Sequence, residues 1–195
     1  GRQGYRQYAD DFYQGNMQKA WQNMSAVLTS SQAKKLGWGP IYFGSTEQYD
    51  RDLKCLLKKA RREGSLVLKY SGRQGYLKFA QDWYFGDMAL AHRNMKSVLS
   101  DEQIEALDWG RRFDGSDTEF LTEANRLLSK NKRGKLIYAN REGKIKYALD
   151  HYDGDIHKAT QNMLAVLSGQ QVEAMNWGLQ FQSHVRDYEA IMTIL

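Results

Sequence analysis

The richest set of potential metal ligands in this 195-residue chain is Asp150-His151-Tyr152-Asp153-Gly154-Asp155-Ile156-His157. Carboxylate oxygens and imidazole nitrogens at such short spacing suit a divalent cation. The stretch lacks the twelfth-position Glu of a calcium loop, and it is not the His-Glu-x-x-His zinc motif. Two of its acids, Asp150 and Asp155, also have counterparts elsewhere in the chain at fixed spacing, which gives them a structural explanation. Neither a metal site nor a cofactor is assigned. Cys55 is the only cysteine, which excludes an internal disulfide framework, and its place among Leu53, Leu56 and Leu57 reads as a small buried thiol. No glycine-rich phosphate loop or nucleophile elbow is present, so no enzyme is expected.

Two basic runs carry a second kind of chemistry. Lys58, Lys59, Arg61 and Arg62 form one, and Lys130, Lys132, Arg133 and Lys135 form the other. Cations at the end of a helix complement its dipole, which is the structural account. A stripe that tracks a phosphate backbone, with Tyr70, Tyr76 and Tyr138 nearby for stacking, is the functional one.

The elements that position these residues are written three times. Shifting the chain by 71 residues aligns Tyr5–Gly39 with Tyr76–Gly110 without a gap, and a further 68 brings in Lys144–Gly178. Twelve columns are identical in all three copies: Ala9, Asp11, Tyr13, Gly15, Ala20, Asn23, Met24, Val27, Leu28, Gln32, Trp38, Gly39 and their counterparts. Modules of about 70 residues follow, at 1–71, 72–139 and 140–195, the last truncated at its C-terminal end. A chain that opens at a module boundary without Met reads as a processed or excised piece of a longer array.

Each module reads as roughly four helices, an all-α fold. Met17, Ala20, Trp21, Met24, Val27 and Leu28 follow the spacing of one helix face, as do their counterparts. Asn16, Asp87 and Asp155 stand where an N-cap belongs. Thr29-x-x-Gln32, Ser100-x-x-Gln103 and Ser168-x-x-Gln171 are capping boxes. The helix they open is expected to close on the glycine of Trp38-Gly39, Trp109-Gly110 and Trp177-Gly178. The three tryptophans are expected to be buried. A fourth helix follows Ser45, Ser116 or Ser183. The inter-module stretches are read either as helix starts or as short β-hairpins turning at Ser71–Gln74 and Asn140–Gly143. Asp11, Asp82 and Asp150 on the first helix, with Asn23, Asn94 and Asn162 on the second, are expected to fix module geometry through interhelical hydrogen bonds or caps.

These patterns point to a non-enzymatic scaffold or docking protein whose helical surface binds other proteins or joins a larger assembly. Its contacts are expected at the variable positions Trp21, Trp83, Phe85 and His92. The alternative is a nucleic-acid binder using the basic joints. Module charges of +6, +1 and −2 weigh against it, because a phosphate track should stay positive along the array. No apolar run is long enough to span a bilayer. The lone cysteine favours cytoplasm or an organelle lumen over the extracellular space.

Overall fold

The computed structural model describes residues 1–62 and 65–194. It is mostly helical and divides into two compact units, Gly1–Trp109 and Gly110–Leu195. The first unit contains α1 (Arg2–Tyr13), α2 (Met17–Val27), α3 (Ser30–Leu36) and α4 (Thr46–Leu56). An antiparallel hairpin follows, β1 (Lys59–Arg62) against β2 (Ser65–Leu68), and then α5 (Gly72–Tyr84), α6 (Met88–Val98) and α7 (Asp101–Leu107). The second unit contains α8 (Asp117–Leu127), α9 (Asn140–His151), α10 (Ile156–Val166), α11 (Gly169–Met175) and α12 (Val185–Ile194).

The apolar stripes become the core. Met17, Ala20 and Met24 of α2 bury against α1, which contributes Tyr5 and Ala9. Met88, Ala91, Met95 and Val98 of α6 do the same with α5, and Ile156, Ala159, Met163 and Val166 of α10 with α9. Each of these Met, Val and Ile side chains stabilises the fold by about 1.5–3 kcal/mol relative to exposure, and each Ala by less. Asn16, Asp87 and Asp155 accept from the backbone N–H groups of Lys19, Leu90 and Lys158, which ties down the starts of α2, α6 and α10. All three capping boxes form, at the starts of α3, α7 and α11.

Helix ends differ from expectation. The left-handed cap of α3, α7 and α11 is Gly37, Asp108 or Asn176, one residue before the tryptophan, so the tryptophan lies beyond the helix. The glycine after each tryptophan is also left-handed, with φ of 74°, 68° and 71°, and turns the chain a second time. Neither joint turns as a hairpin at Ser71–Gln74 or Asn140–Gly143. Gly72 and Asn140 open α5 and α9 instead, and the paired strands lie earlier, at Lys59–Arg62 and Ser65–Leu68. The fourth helix of the first module, α4, stops at Leu56, and Ala60 sits in β1.

The tryptophans are buried: Trp38 is 7%, Trp109 1% and Trp177 3% exposed. Trp38 stacks on Tyr5 and Trp109 on Tyr76, both at 4.8 Å between ring centroids. In the second unit the stacking position is Lys144, and Trp177 tilts against Tyr147 at 5.7 Å. Trp109 Nε1 donates to the Tyr70 carbonyl at 2.5 Å and Trp177 Nε1 to that of Tyr138 at 2.6 Å, so each indole holds the chain just ahead of α5 or α9.

Candidate functional site

The four variable positions do not gather. Trp21 is half-buried, with its indole N–H 3.3 Å from the Gly39 carbonyl. His92 is only 4% exposed, set 5.5 Å from the Tyr76 ring and 6.3 Å from Trp109, so it leaves the contact set. An imidazole fits this core because its ring packs on aromatic faces. Thr160, in the same column, is buried as well and returns its hydroxyl to the Ile156 carbonyl.

Trp83 and Phe85 lie at the end of α5, Phe85 as its C-cap. Trp83 is half-buried and donates from Nε1 to the Tyr70 hydroxyl at 3.1 Å. The Arg51 guanidinium stands 4.8 Å over its ring, a cation–π contact. Phe85 caps α5 in the left-handed region, at φ 50°, and is fully exposed. A bulky residue at positive φ is uncommon, since its Cβ crowds the next carbonyl. The counterparts are Gln14 and Asp153, at φ 50° and 49°. A large apolar ring held in strain and buried against nothing in its own unit lacks a packing reason.

The Arg51 that covers Trp83 also reaches a buried polar junction. Asp52 on α4 is 0% exposed and accepts from the Tyr42 hydroxyl at 2.6 Å, from the Tyr84 hydroxyl, and from Arg51 at 2.8 Å. Asn94 on α6 donates to the Tyr84 hydroxyl at 2.9 Å and to the Phe43 carbonyl at 3.0 Å, and accepts from Phe43 N–H. Burial first, then the Tyr84 and Asp52 charges, raises the Tyr42 phenol well above its ordinary range; burial and Asp52 do the same to Tyr84. Such a network fixes geometry because each buried polar group has a partner.

The second unit builds a related junction in which one phenol comes from a different position. Glu123 on α8, the counterpart of Asp52, accepts from the Tyr147 hydroxyl, from Asn162 at 3.2 Å and from Tyr152 at 3.4 Å, and pairs with Arg126. Burial pushes Tyr152 up to about 12, with the Glu123 charge adding to it and the Tyr147 hydrogen bond opposing it. Sequence reading missed both acids: each lies outside the aligned columns, and Asp52 sits beside charged Arg51 and Lys54 on a helix that looks exposed.

The Asp and Asn columns do not meet each other. Asn94 and Asn162 serve the junctions above, whereas Asp82 accepts from Tyr70 Oη at 2.9 Å and Asp150 from Tyr138 Oη at 3.0 Å. His151 adds a contact to the same Tyr138 hydroxyl, and Asp155 caps α10. His157 reaches Gln180, and the described residues contain no group of three or more metal-type ligands. Lys144 is 3% exposed, with Nζ 3.2 Å from the Leu179 carbonyl; burial, then the Arg141 charge, lowers its pKa. Cys55 is a half-buried free thiol.

Of the basic residues, Lys58 is exposed just past α4, and Lys130, Lys132, Arg133 and Lys135 are exposed beyond α8, around a single Lys130–Leu136 bridge. The backbones of Lys59, Arg61 and Arg62 form β1; their side chains lie outside the described residues. No helix among the described residues is long and apolar enough to cross a membrane. Comparison with protein-family models, curated proteins and solved structures finds no match to the chain.

Proposed function

We propose that the chain is a non-enzymatic tandem array of three helical modules, 1–71, 72–139 and 140–195, that serves as a scaffold or docking protein. The observation that carries this reading is Phe85: fully exposed, at φ 50°, two residues along the chain from the Trp83 ring on which Arg51 stacks. A binding protein gains most from rigid aromatic anchors flanked by Arg. Strain retained at such a position points to use rather than packing.

Phe85→Asn tests it. Asparagine tolerates the left-handed region, so the variant gains up to about 1 kcal/mol in chemical denaturation. A crosslinked partner recovered with the wild type is lost with the variant. Undiminished crosslinking would remove Phe85 as the anchor.

The nucleic-acid reading has one observation in its favour, the exposed run Lys130, Lys132, Arg133 and Lys135. Binding to random-sequence RNA or DNA that falls steeply between low and physiological salt would replace the scaffold reading.

A further inference from the structure

Lys144 on α9 is a buried amine with little to hold. Its place in the other two copies is taken by Tyr5 and Tyr76, which stack on Trp38 and Trp109 and donate to the Met17 and Met88 carbonyls. In the third copy the equivalent carbonyl, that of Ile156, takes the Thr160 hydroxyl instead. Lys144 is 3% exposed, and its Nζ has one hydrogen-bond partner among the described residues, the Leu179 carbonyl at 3.2 Å. No carboxylate among them pairs with it, and the charge that acts on it, Arg141, has its own sign. Burial without a counter-charge disfavours the ammonium form.

The same side chain lines an opening of about 390 Å³ at α9, α10 and α11. Its walls are mostly apolar, from Met163, Leu164, Val172, Trp177 and Leu179, and Glu173, the acid that also lines it, is exposed. An opening of about 420 Å³ lies at the same columns in the first copy, at Trp21, Met24 and Trp38, with the whole second copy following it in the chain. Tyr5 is no part of that lining. What the third copy adds is a nucleophile in the wall. Burial, then the Arg141 charge, lowers the pKa of the amine and so enlarges the fraction present as the free base that attacks a carbonyl.

We propose that Lys144 is a covalent binding site for an aldehyde with a short apolar tail, the tail filling the opening lined by Met163, Val172 and Trp177. The Nζ lone pair attacks the aldehyde carbon and forms the new C–N bond. The carbonyl oxygen then leaves as water, carrying the two protons of the neutral amine, and a C=N bond joins ligand to lysine. No oxidant or reductant is needed, and addition of water reverses the step. An apolar tail is favoured over a polar one because the walls offer it mainly carbon. The site stands on α9, α10 and α11 and not on Phe85 or on docking of a protein.

The probe is hexanal, added to the full chain near neutral pH with sodium cyanoborohydride to trap imines, and the adducts are located by peptide mass mapping. Lys144 is expected to be alkylated at least tenfold faster than any exposed lysine, at a rate that saturates as hexanal rises. Lys144→Tyr puts back the residue of the other two copies, so it should fold and lose the fast adduct. Val172→Trp should fill the opening and slow hexanal at least tenfold, while formaldehyde, which has no tail, still reacts at Lys144. Labelling spread evenly over the lysines overturns the site. A fast adduct whose rate stays linear in hexanal, or is unchanged in Val172→Trp, shows a reactive amine without a binding cavity and overturns it as well. None of these outcomes bears on Phe85→Asn, so the two readings fail separately.

Discussion

Asp52 and Glu123 stand 71 residues apart at the same place on α4 and α8, and each collects phenolic hydroxyls at a helix junction. One donor shares a column, Tyr84 in the first junction and Tyr152 in the second, and the other does not. Asp52 takes Tyr42 and Tyr84; in the other junction the Tyr42 position is Phe113, and the hydroxyl comes from Tyr147, where the first has Phe79. The longer Glu goes with the relocated donor. Asn94 steadies Tyr84 and the Phe43 backbone, while Asn162 donates straight to Glu123. What the two junctions share is the satisfied acceptor, and the routes to it differ.

The largest expected effect comes from deleting the acceptor. Asp52→Ala leaves two buried hydroxyls and Arg51 without it and should cost about 3–5 kcal/mol in chemical denaturation. Glu123 is 14% exposed, so water can replace part of what is lost, and Glu123→Ala should cost about 1–3 kcal/mol. Equal losses would show that exposure does not separate the junctions.

Moving the hydroxyl sharpens the contrast. Tyr42→Phe should cost about 1 kcal/mol. Adding Phe79→Tyr should restore it only when Asp52→Glu is also present, because the shorter acid does not reach the relocated phenol. Recovery without the longer acid would break the link between donor column and acid length.

Alkaline titration tests both junctions together. Tyr42, Tyr84, Tyr147 and Tyr152 all have raised pKa values in the folded protein. Between the unfolded value of about 10 and the folded values, the native state binds more protons. Stability from these groups is therefore complete below pH 10 and falls as pH rises beyond it. Urea midpoints at stepped pH should show the decline; a flat profile would mean that the phenols ionise without loss.

The smallest effect belongs to Lys144. Tyr5 and Tyr76, in the same column, donate to the Met17 and Met88 carbonyls at 2.6 Å. Lys144→Tyr should recover such a bond to α10 and gain about 1 kcal/mol. The wild-type amine, with a lowered folded pKa, adds a stability contribution that rises with pH toward the ordinary lysine range, opposite in sign to the tyrosines. The variant should lose that rise.

Features that depend on one residue and its near neighbours were readable from the chain. Asn16, Thr29-x-x-Gln32 and the buried Trp column belong here, because caps and large apolar rings act over a turn or through bulk alone. Partnership over distance was not readable. The Asp and Asn columns recur together yet bind different groups, since identity in three copies says that a residue is needed and not what it touches. Left-handed caps at Gly37, Asp108 and Asn176 use three residue types and share no letter. His92 was placed at the surface because imidazole is polar, although its ring packs as an aromatic.

The exchange of phenol between the Tyr42 and Phe79 columns carries a historical consequence. Losing one hydroxyl before gaining the other passes through a poorly satisfied buried acid. Gaining first passes through a chain with three phenols around one carboxyl, which is tolerated. On the proposed repeat reading, the route from one junction to the other therefore has a preferred order, addition before loss. A variant bearing tyrosine at both columns is the intermediate that such a route passes through.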